Sequence, residues 1–319
     1  MKNNVVERYK KEGLVVPGLY DKAFKAIMQD ESCRDYLVEI VHELTKLPKE
    51  YLEENMVFKN SELPVDYLEE KRKVTDLLVE VEENIINLEM NNFYYKGLIE
   101  RNDMYLNEIR KLYIQKRYLP IPKFIQINFD NFKKYGDGII MKFVMMDEET
   151  HIKETENYEK YHISLKRIKE KYYNKEKLTR FEKMMLLLVL DKKEELKRVS
   201  SEDDIMKKVE EKVLTLSKDA AMILCYDEEE YKEKVRQMVT ETEIEEGKEK
   251  ALKEGMKKGI KEGRKKGRKE GRKEGIREGI IKEKKEIALK LIKENIDINI
   301  ISSTTGLSID ELKKIKNEK

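Results

Sequence analysis

Val74-Thr75-Asp76-Leu77-Leu78-Val79-Glu80-Val81 and Ile85-Ile86-Asn87-Leu88, joined by Glu82-Glu83-Asn84, form the stretch on which the fold turns. Both runs are rich in β-branched and aliphatic residues and too short for helices, and the polar residues between them suit a hairpin turn. Helical periodicity brackets this hairpin. Upstream, Phe24, Ile27, Met28, Leu37, Ile40, Val41 and Leu44 recur at three- and four-residue intervals between Tyr20 and Leu47, which predicts amphipathic helices facing a core. Pro48 and a polar stretch then break the pattern. Downstream, a tyrosine-rich helix is predicted from Asn92 to Arg117, and Pro120 and Pro122 stop it ahead of a strand at Phe124-Ile125-Gln126-Ile127-Asn128-Phe129. Further short strands are predicted from Ile139 to Met146 and near Tyr161 to Leu165. From Leu178 to Thr242 the pattern is helical again, with Phe181, Met184, Met185, Leu187 and Leu188 as the buried face. Helix and strand therefore alternate, which places the chain in the α/β class, with a globular body over residues 1–240.

Composition divides the chain in the same place. Of 319 residues, 41% are charged, more than a single packed core requires, so a solvated extension is expected. The net charge of +2 is uninformative, but its distribution is not. Lys248 to Lys285 carries 17 Lys/Arg against 7 Asp/Glu, a net of +10, so a basic tail follows an acidic body. Within residues 241–285, Gly247, Gly255, Gly259, Gly263, Gly267, Gly271, Gly275 and Gly279 recur every four residues, with Ala251 in the one gap. Each Gly costs about 1 kcal/mol of helix propensity relative to Ala, so a long helical stalk here needs outside support. Three readings stay open: a helix that self-associates along its small-residue row into a homo-oligomer, a basic strut on DNA, or a solvated spacer. Residues 286–319 regain hydrophobic spacing. Ile300-Ile301-Ser302-Ser303-Thr304-Thr305-Gly306-Leu307-Ser308-Ile309-Asp310-Glu311-Leu312 reads as helix, Gly turn, Ser308 cap with Glu311 three residues on, and second helix. That is helix-turn-helix spacing, which serves a packing or oligomerisation module as well as a DNA reader.

The chemistry-bearing residues lie in the hairpin. Asp76 falls on its first strand and Glu89 at the end of its second, with Asn91 two residues on. Two carboxylates on adjacent strands can share a hard divalent cation, because Mg²⁺ takes oxygen ligands and is commonly held by one or two carboxylates plus water and substrate phosphate. Such a cation activates water toward a phosphodiester and offsets the charge that builds on its oxygens. Elsewhere, His42, His151 and His162 have no zinc-ligand spacing, and Gly247-Lys248 is followed by Glu249, not by the hydroxyl residue of a P-loop. Cys33 and Cys225 are far apart and read as incidental thiols. The N-terminal sequence lacks the apolar core of a signal peptide and no run is long enough to span a membrane, so a cytoplasmic protein is expected.

Several stretches together resemble one family. Asn60-Ser61-Glu62-Leu63-Pro64, Glu70-Lys71-Arg72-Lys73-Val74-Thr75-Asp76-Leu77-Leu78-Val79-Glu80 and Ile85-Ile86-Asn87-Leu88-Glu89-Met90-Asn91 look like the hallmark block of the Rpn family of recombination-promoting nucleases and transposase-like proteins, a branch of the PD-(D/E)XK superfamily. Tyr20-Asp21-Lys22-Ala23-Phe24-Lys25, Pro122 to Phe129, the glycine-repeat tail and Thr305-Gly306-Leu307-Ser308 extend the resemblance over nearly the whole chain. It implies a restriction-endonuclease-like core, a mixed central sheet flanked by helices, with a long C-terminal helical extension. It also implies a Mg²⁺-dependent DNA endonuclease, with Mn²⁺ as an alternative ion, that promotes recombination or mobile-element movement.

By this resemblance Asp76 and Glu89 match the metal-binding acids, and Asp21, an acid on the first core helix, completes the metal site; the alternative for Asp21 is favourable charge at a helix N-terminus. Asn91 falls where the signature has lysine. An amide can orient water but lacks the charge of an ammonium group, leaving proton removal to the metal or solvent. Lys73, three residues from Asp76, would face the opposite side of a regular strand and is a poor substitute. Gln126 and Asn128 read as edge polar groups outside the site. The competing expectation is a catalytically weak or inactive DNA-binding scaffold that oligomerises through its tail.

Overall fold

A computed structural model describes residues 2–63, 73–116, 120–226 and 229–317. The Pro64 to Arg72 portion of the hallmark block, and Arg117, lie outside the described residues, as does the side chain of Lys73. The first half runs α1 (Lys2–Glu12), α2 (Asp21–Met28), a 3-10 turn (Glu31–Cys33), α3 (Arg34–Thr45), α4 (Lys49–Asn55), β1 (Met56–Lys59), β2 (Glu62–Leu63), β3 (Lys73–Val74), β4 (Leu77–Val81), β5 (Asn84–Asn91), α5 (Leu98–Lys116) and β6 (Lys123–Asp130). There follow β7 (Ile140–Phe143), β8 (Tyr158–Ser164), α6 (Leu165–Tyr173), α7 (Arg180–Leu187), α8 (Lys193–Ser200), α9 (Asp204–Leu216), α10 (Ala220–Tyr226), α11 (Glu229–Lys293), α12 (Ile298–Thr305) and α13 (Ile309–Asn317).

Among the described residues, six strands form one mixed sheet in the order β1-β4-β5-β6-β8-β7, and β2 and β3 form a small ladder of their own. The expected hairpin is its organising element. Val81 pairs with Asn84, so the turn is Glu82-Glu83 alone, with Glu82 at φ 47°. β5 then runs parallel to β6, and β6 parallel to β8, with α5 as the crossover between β5 and β6. α5 begins at Leu98 and not at Asn92, because Gly97 at φ +92° breaks the chain direction ahead of it. β1, α1 and α6 were not anticipated. β1 is only four residues long, and Leu165, read as a strand end, opens α6, whose buried Leu165 and Ile168 repeat at helical spacing.

The two faces of the sheet differ. Ile86 and Leu88 of β5, Ile125, Ile127 and Phe129 of β6, and Tyr161 and Ile163 of β8 pack with Phe24, Ile27, Tyr36, Leu37, Ile40, Val41 and the Met184–Leu190 segment into the main core. Alternation sends the intervening residues to the other face, under α5. There Leu78, Ile85 and Phe124 meet Leu106 and Ile109 in a second apolar cluster, but further along the strands the buried residues are Asn87, Glu89 and Asn91, then Gln126, Asn128 and Asp130, then Lys160, His162 and Ser164. Register aligns these into rows: Glu89 beside Asn128 beside His162, and Asn91 beside Asp130 beside Ser164. A polar block of this size inside a sheet needs internal hydrogen bonds to be tolerated.

α2 is fixed against the sheet end. Phe24 stacks edge-on against Phe129 at 5.3 Å. Just upstream, Gly18 lies so close to Leu188 that a Cβ would stand 2.8 Å from Leu188 Cδ2 and 3.2 Å from its Cα. A larger residue there would have to push aside the Leu188 side chain and press on its backbone.

The chain forms two compact units, Met1–Thr242 and Glu243–Lys319. In the second, residues 243–283 of α11 are exposed throughout, and at the glycines from Gly247 to Gly279 an added Cβ would meet nothing within 4 Å. The end of α11 folds with α12 and α13 around Ala288, Ile301, Leu307, Leu312 and Ile315. Gly306 ends α12 in the left-handed region at φ 67°, and the Ser308 hydroxyl and amide pair with Glu311. Among the described residues no helix is long and apolar enough to cross a membrane.

Candidate active site

Asp76 sits one residue ahead of β4, in the break between β3 and β4, and not within the strand as its sequence suggested. Its Oδ2 accepts a hydrogen bond from the Met90 backbone N–H at 2.7 Å. Because Leu77 pairs with Leu88, this bond ties Asp76 to the part of β5 that carries Glu89. Glu89 is buried, 1% exposed, and its Oε1 accepts from Asn87 Nδ2 at 3.0 Å. α2 brings two more charged groups to the same place. Lys25 Nζ lies 3.1 Å from Asp21 Oδ1 and 3.7 Å from Asp76 Oδ1, while the Asp21 side chain stays 54% exposed.

The electrostatics couple these acids. Burial is the largest cause lifting the Asp76 carboxyl, to about 7, with the Asp21 charge adding to the rise and the Met90 amide and Lys25 opposing it. Burial likewise lifts Glu89, to about 8, reinforced by the Asp76 charge and opposed by Asn87, Arg101 and Lys25. Two acids held above the ordinary carboxylate range by desolvation and by each other form a site that an added cation would relax.

Among the described residues no three His, Cys, Asp or Glu side chains converge into a ready-made metal cage. The arrangement does fit an ion held by one or two carboxylates, with its other positions left to water and substrate oxygens, as Mg²⁺ is commonly bound. Among the described residues, two buried oxygens close to the acids in sequence, Thr75 Oγ1 and Asn87 Oδ1, have no hydrogen-bond partner.

Asn91 is placed in the adjoining polar block. It is 2% exposed; its Nδ2 donates to Asp130 Oδ1 at 2.9 Å and to Asn128 Oδ1 at 3.4 Å, and its Oδ1 accepts from Asn102 Nδ2 at 3.1 Å. Asn102 also donates to Asn128 Oδ1 at 3.0 Å, and Asp130 Oδ2 lies 2.7 Å from His162 Nδ1. Thus Asp76, Glu89 and Asp21 come together electrostatically, and Asn91 lies beside them in a network of its own.

Gln126 and Asn128 are not edge groups: β6 is an interior strand and both side chains are buried. Sequence reading also missed Lys25, Arg101, Asn102, Asp130 and His162. One signal was present, since Gln126-x-Asn128-x-Asp130 repeats the two-residue polar spacing of Asn87-x-Glu89-x-Asn91, but its meaning depends on parallel pairing of the two strands.

A family model described as PD-(D/E)XK nuclease family transposase matches residues 19–243, which contain every residue of this site. No curated protein and no solved structure matches the chain. Nucleases of this superfamily generally use divalent metals and act on DNA. With a mixed sheet, a hairpin bearing paired acids and a family match over most of its length, the chain belongs to the PD-(D/E)XK nuclease family transposases.

Proposed function

We propose that the chain is a Mg²⁺-dependent DNA endonuclease, able to use Mn²⁺, with Asp76 and Glu89 as its metal-binding acids and Asp21 as an outer carboxylate of the same site. The observation that carries this reading is the pair of mutually destabilising carboxyls, the part-buried Asp76 just ahead of β4 and the buried Glu89 on the neighbouring strand β5, tied together by the bond from the Met90 amide to Asp76. Bound there, the ion would supply Lewis-acid activation of water and of the phosphodiester. The chain's own residues do the rest. The Met90 amide fixes one oxygen of Asp76, Asn87 fixes one of Glu89, and Lys25 offsets the charge of Asp21 and Asp76. Asn91 is the residue that orients water, and with its amide engaged by Asp130, Asn128 and Asn102 it also holds the end of β5 in register. The reaction would make DNA ends for recombination or mobile-element movement. Residues 241–285 are assigned to a helical stalk for self-association and 286–319 to a helix-turn-helix-like module, on the exposed glycine row and the small three-helix core.

A second reading, a DNA-binding scaffold with a weak or inactive centre, is favoured by one observation: the signature's lysine position is occupied by a neutral amide bonded to protein groups. Supercoiled plasmid decides between them. The full chain is expected to nick and linearise it in Mg²⁺ or Mn²⁺ and not in EDTA, and folded Asp76→Asn is expected to lose this activity by roughly 10³-fold or more. Cutting that persists in EDTA, or in the variant, contradicts the nuclease site; DNA binding with no cutting in any metal supports the scaffold.

A further inference from the structure

Asn91 leaves β5 without a cation at the signature's lysine position, yet a cation stands beside it on another element. Arg101 lies in the first turn of α5, half-buried. Its guanidinium carbon is 5.7 Å from the ring centroid of Tyr95 and 5.5 Å from that of Tyr105. Its Nε and Nη2 donate to Asn102 Oδ1 at 3.2 and 3.0 Å, and Asn102 donates onward to Asn91 Oδ1. The guanidinium is therefore oriented by two rings and one amide, and hydrogen-bonded through Asn102 to the very residue that replaces lysine.

Asn102, which holds the guanidinium, donates to both Asn91 Oδ1 and Asn128 Oδ1, and Asn128 pairs with Glu89 across β5 and β6. Arg101 thus stands on the α5 side of the sheet, the face that carries Glu89 and Asn91. Lys25 is a second cation near the acids, but it is committed to Asp21 and Asp76 at 3.1 and 3.7 Å. Arg101 donates to the neutral amide oxygen of Asn102 and bonds the Tyr95 hydroxyl, so among the described residues its hydrogen bonds go to neutral groups and its charge is not paired with a carboxylate.

We infer that Arg101 binds a non-bridging oxygen of the substrate's scissile phosphate and supplies from α5 the positive charge that β5 lacks. The inference rests on the nuclease reading above. In phosphodiester hydrolysis a water oxygen bonds to phosphorus while the bond from phosphorus to one sugar oxygen breaks; the water's protons pass to solvent and to the leaving oxygen. Charge accumulates on the non-bridging oxygens in between, and a planar, pre-oriented guanidinium is suited to hold it.

The test uses the full chain with Arg101→Met, which keeps the apolar stem against the tyrosines, and Arg101→Lys, which keeps the charge. Three readouts are taken: plasmid cutting in Mg²⁺, Mn²⁺-induced thermal stabilisation, and binding of a labelled DNA duplex in EDTA over a series of salt concentrations. Arg101→Met is expected to lower kcat about 10²-fold or more, with Arg101→Lys recovering part of the loss. Its slope of log Kobs against log salt should shrink by about one, as for one lost phosphate contact, while Mn²⁺ stabilisation matches the parent chain. An unchanged cutting rate or salt slope in Arg101→Met overturns the inference, as does loss of Mn²⁺ stabilisation, which would make Arg101 a structural support of the metal site. If the parent chain itself cuts in no metal, the nuclease reading falls and the role of Arg101 falls with it; if the parent cuts and Arg101→Met cuts equally, the role of Arg101 alone is lost.

Discussion

Glu89→Gln is expected to abolish plasmid cutting, by roughly 10³-fold or more, and at the same time to make the metal-free protein harder to unfold. The second effect follows from the sign of the carboxyl shift. Glu89 holds its proton more tightly in the folded chain than in the unfolded one, its folded value lying near 8 against an ordinary 4.5. The folded state therefore binds the extra proton between those values, and stability falls as pH rises through that window. Above it the fold carries a buried, repelled carboxylate. Gln keeps an oxygen to accept from Asn87 but cannot ionise, so the loss is removed. At about pH 8.5 the gain should be about 2–4 kcal/mol, less than the full shift would give because Asp76 contributes to it. Near pH 4.5 the variant and the parent should unfold alike. Chemical denaturation in EDTA at the two pH values reads this directly; a Glu89→Gln chain that is less stable at high pH would mean that Glu89 is a structural carboxylate.

Asp130→Ala is expected to cost about 3–5 kcal/mol. Asp130 is buried and links the two rows of the polar block, accepting from Asn91 of its own row at Oδ1 and paired with His162 of the other at Oδ2. His162 is enclosed by Tyr135 and Phe143, with ring centroids at 4.6 and 5.4 Å, so neither it nor Asn91 can turn to water when the carboxylate is removed. Two buried donors would be stranded at once. Asp130→Asn, which keeps an acceptor oxygen of the same shape, should recover part of the loss. A denaturation midpoint unchanged in Asp130→Ala would show that the block is held by packing alone and that Asn91 is not positioned through it.

The hairpin could be read from sequence because it combines the strongest local signals: short β-favouring runs, a polar turn between them, and helical periodicity to either side. Asp76 and Glu89 came with it, since their positions relative to the two runs were fixed by the chain itself. The break before Asp76 could not be foreseen, because nothing in Thr75-Asp76 distinguishes the end of one two-residue ladder from the start of a sheet strand. Asn102, Arg101, Asp130 and His162 lay out of reach for a different reason. They belong to α5, β6 and β8: the packing of α5 on the sheet brings Asn102, with Arg101 behind it, to Asn91 from 11 positions away, and the parallel register brings Asp130, with His162 behind it, from 39. In a chain with 65 acids and 67 basic residues, a single Arg or Asp carries no signal until that register is known.

The most direct test of the central claim is a calorimetric titration of the full chain with Mn²⁺ at about pH 6 and about pH 8.5, beside Asp76→Asn and Glu89→Gln. Ionised carboxylates bind the ion and protonated ones must first release their protons, so affinity should rise with pH and fewer protons should be released at the higher value. Both substitutions should remove the binding. Binding that survives either substitution, or a folded parent chain that takes up no Mn²⁺ at either pH, would contradict the assignment of Asp76 and Glu89 as a metal site.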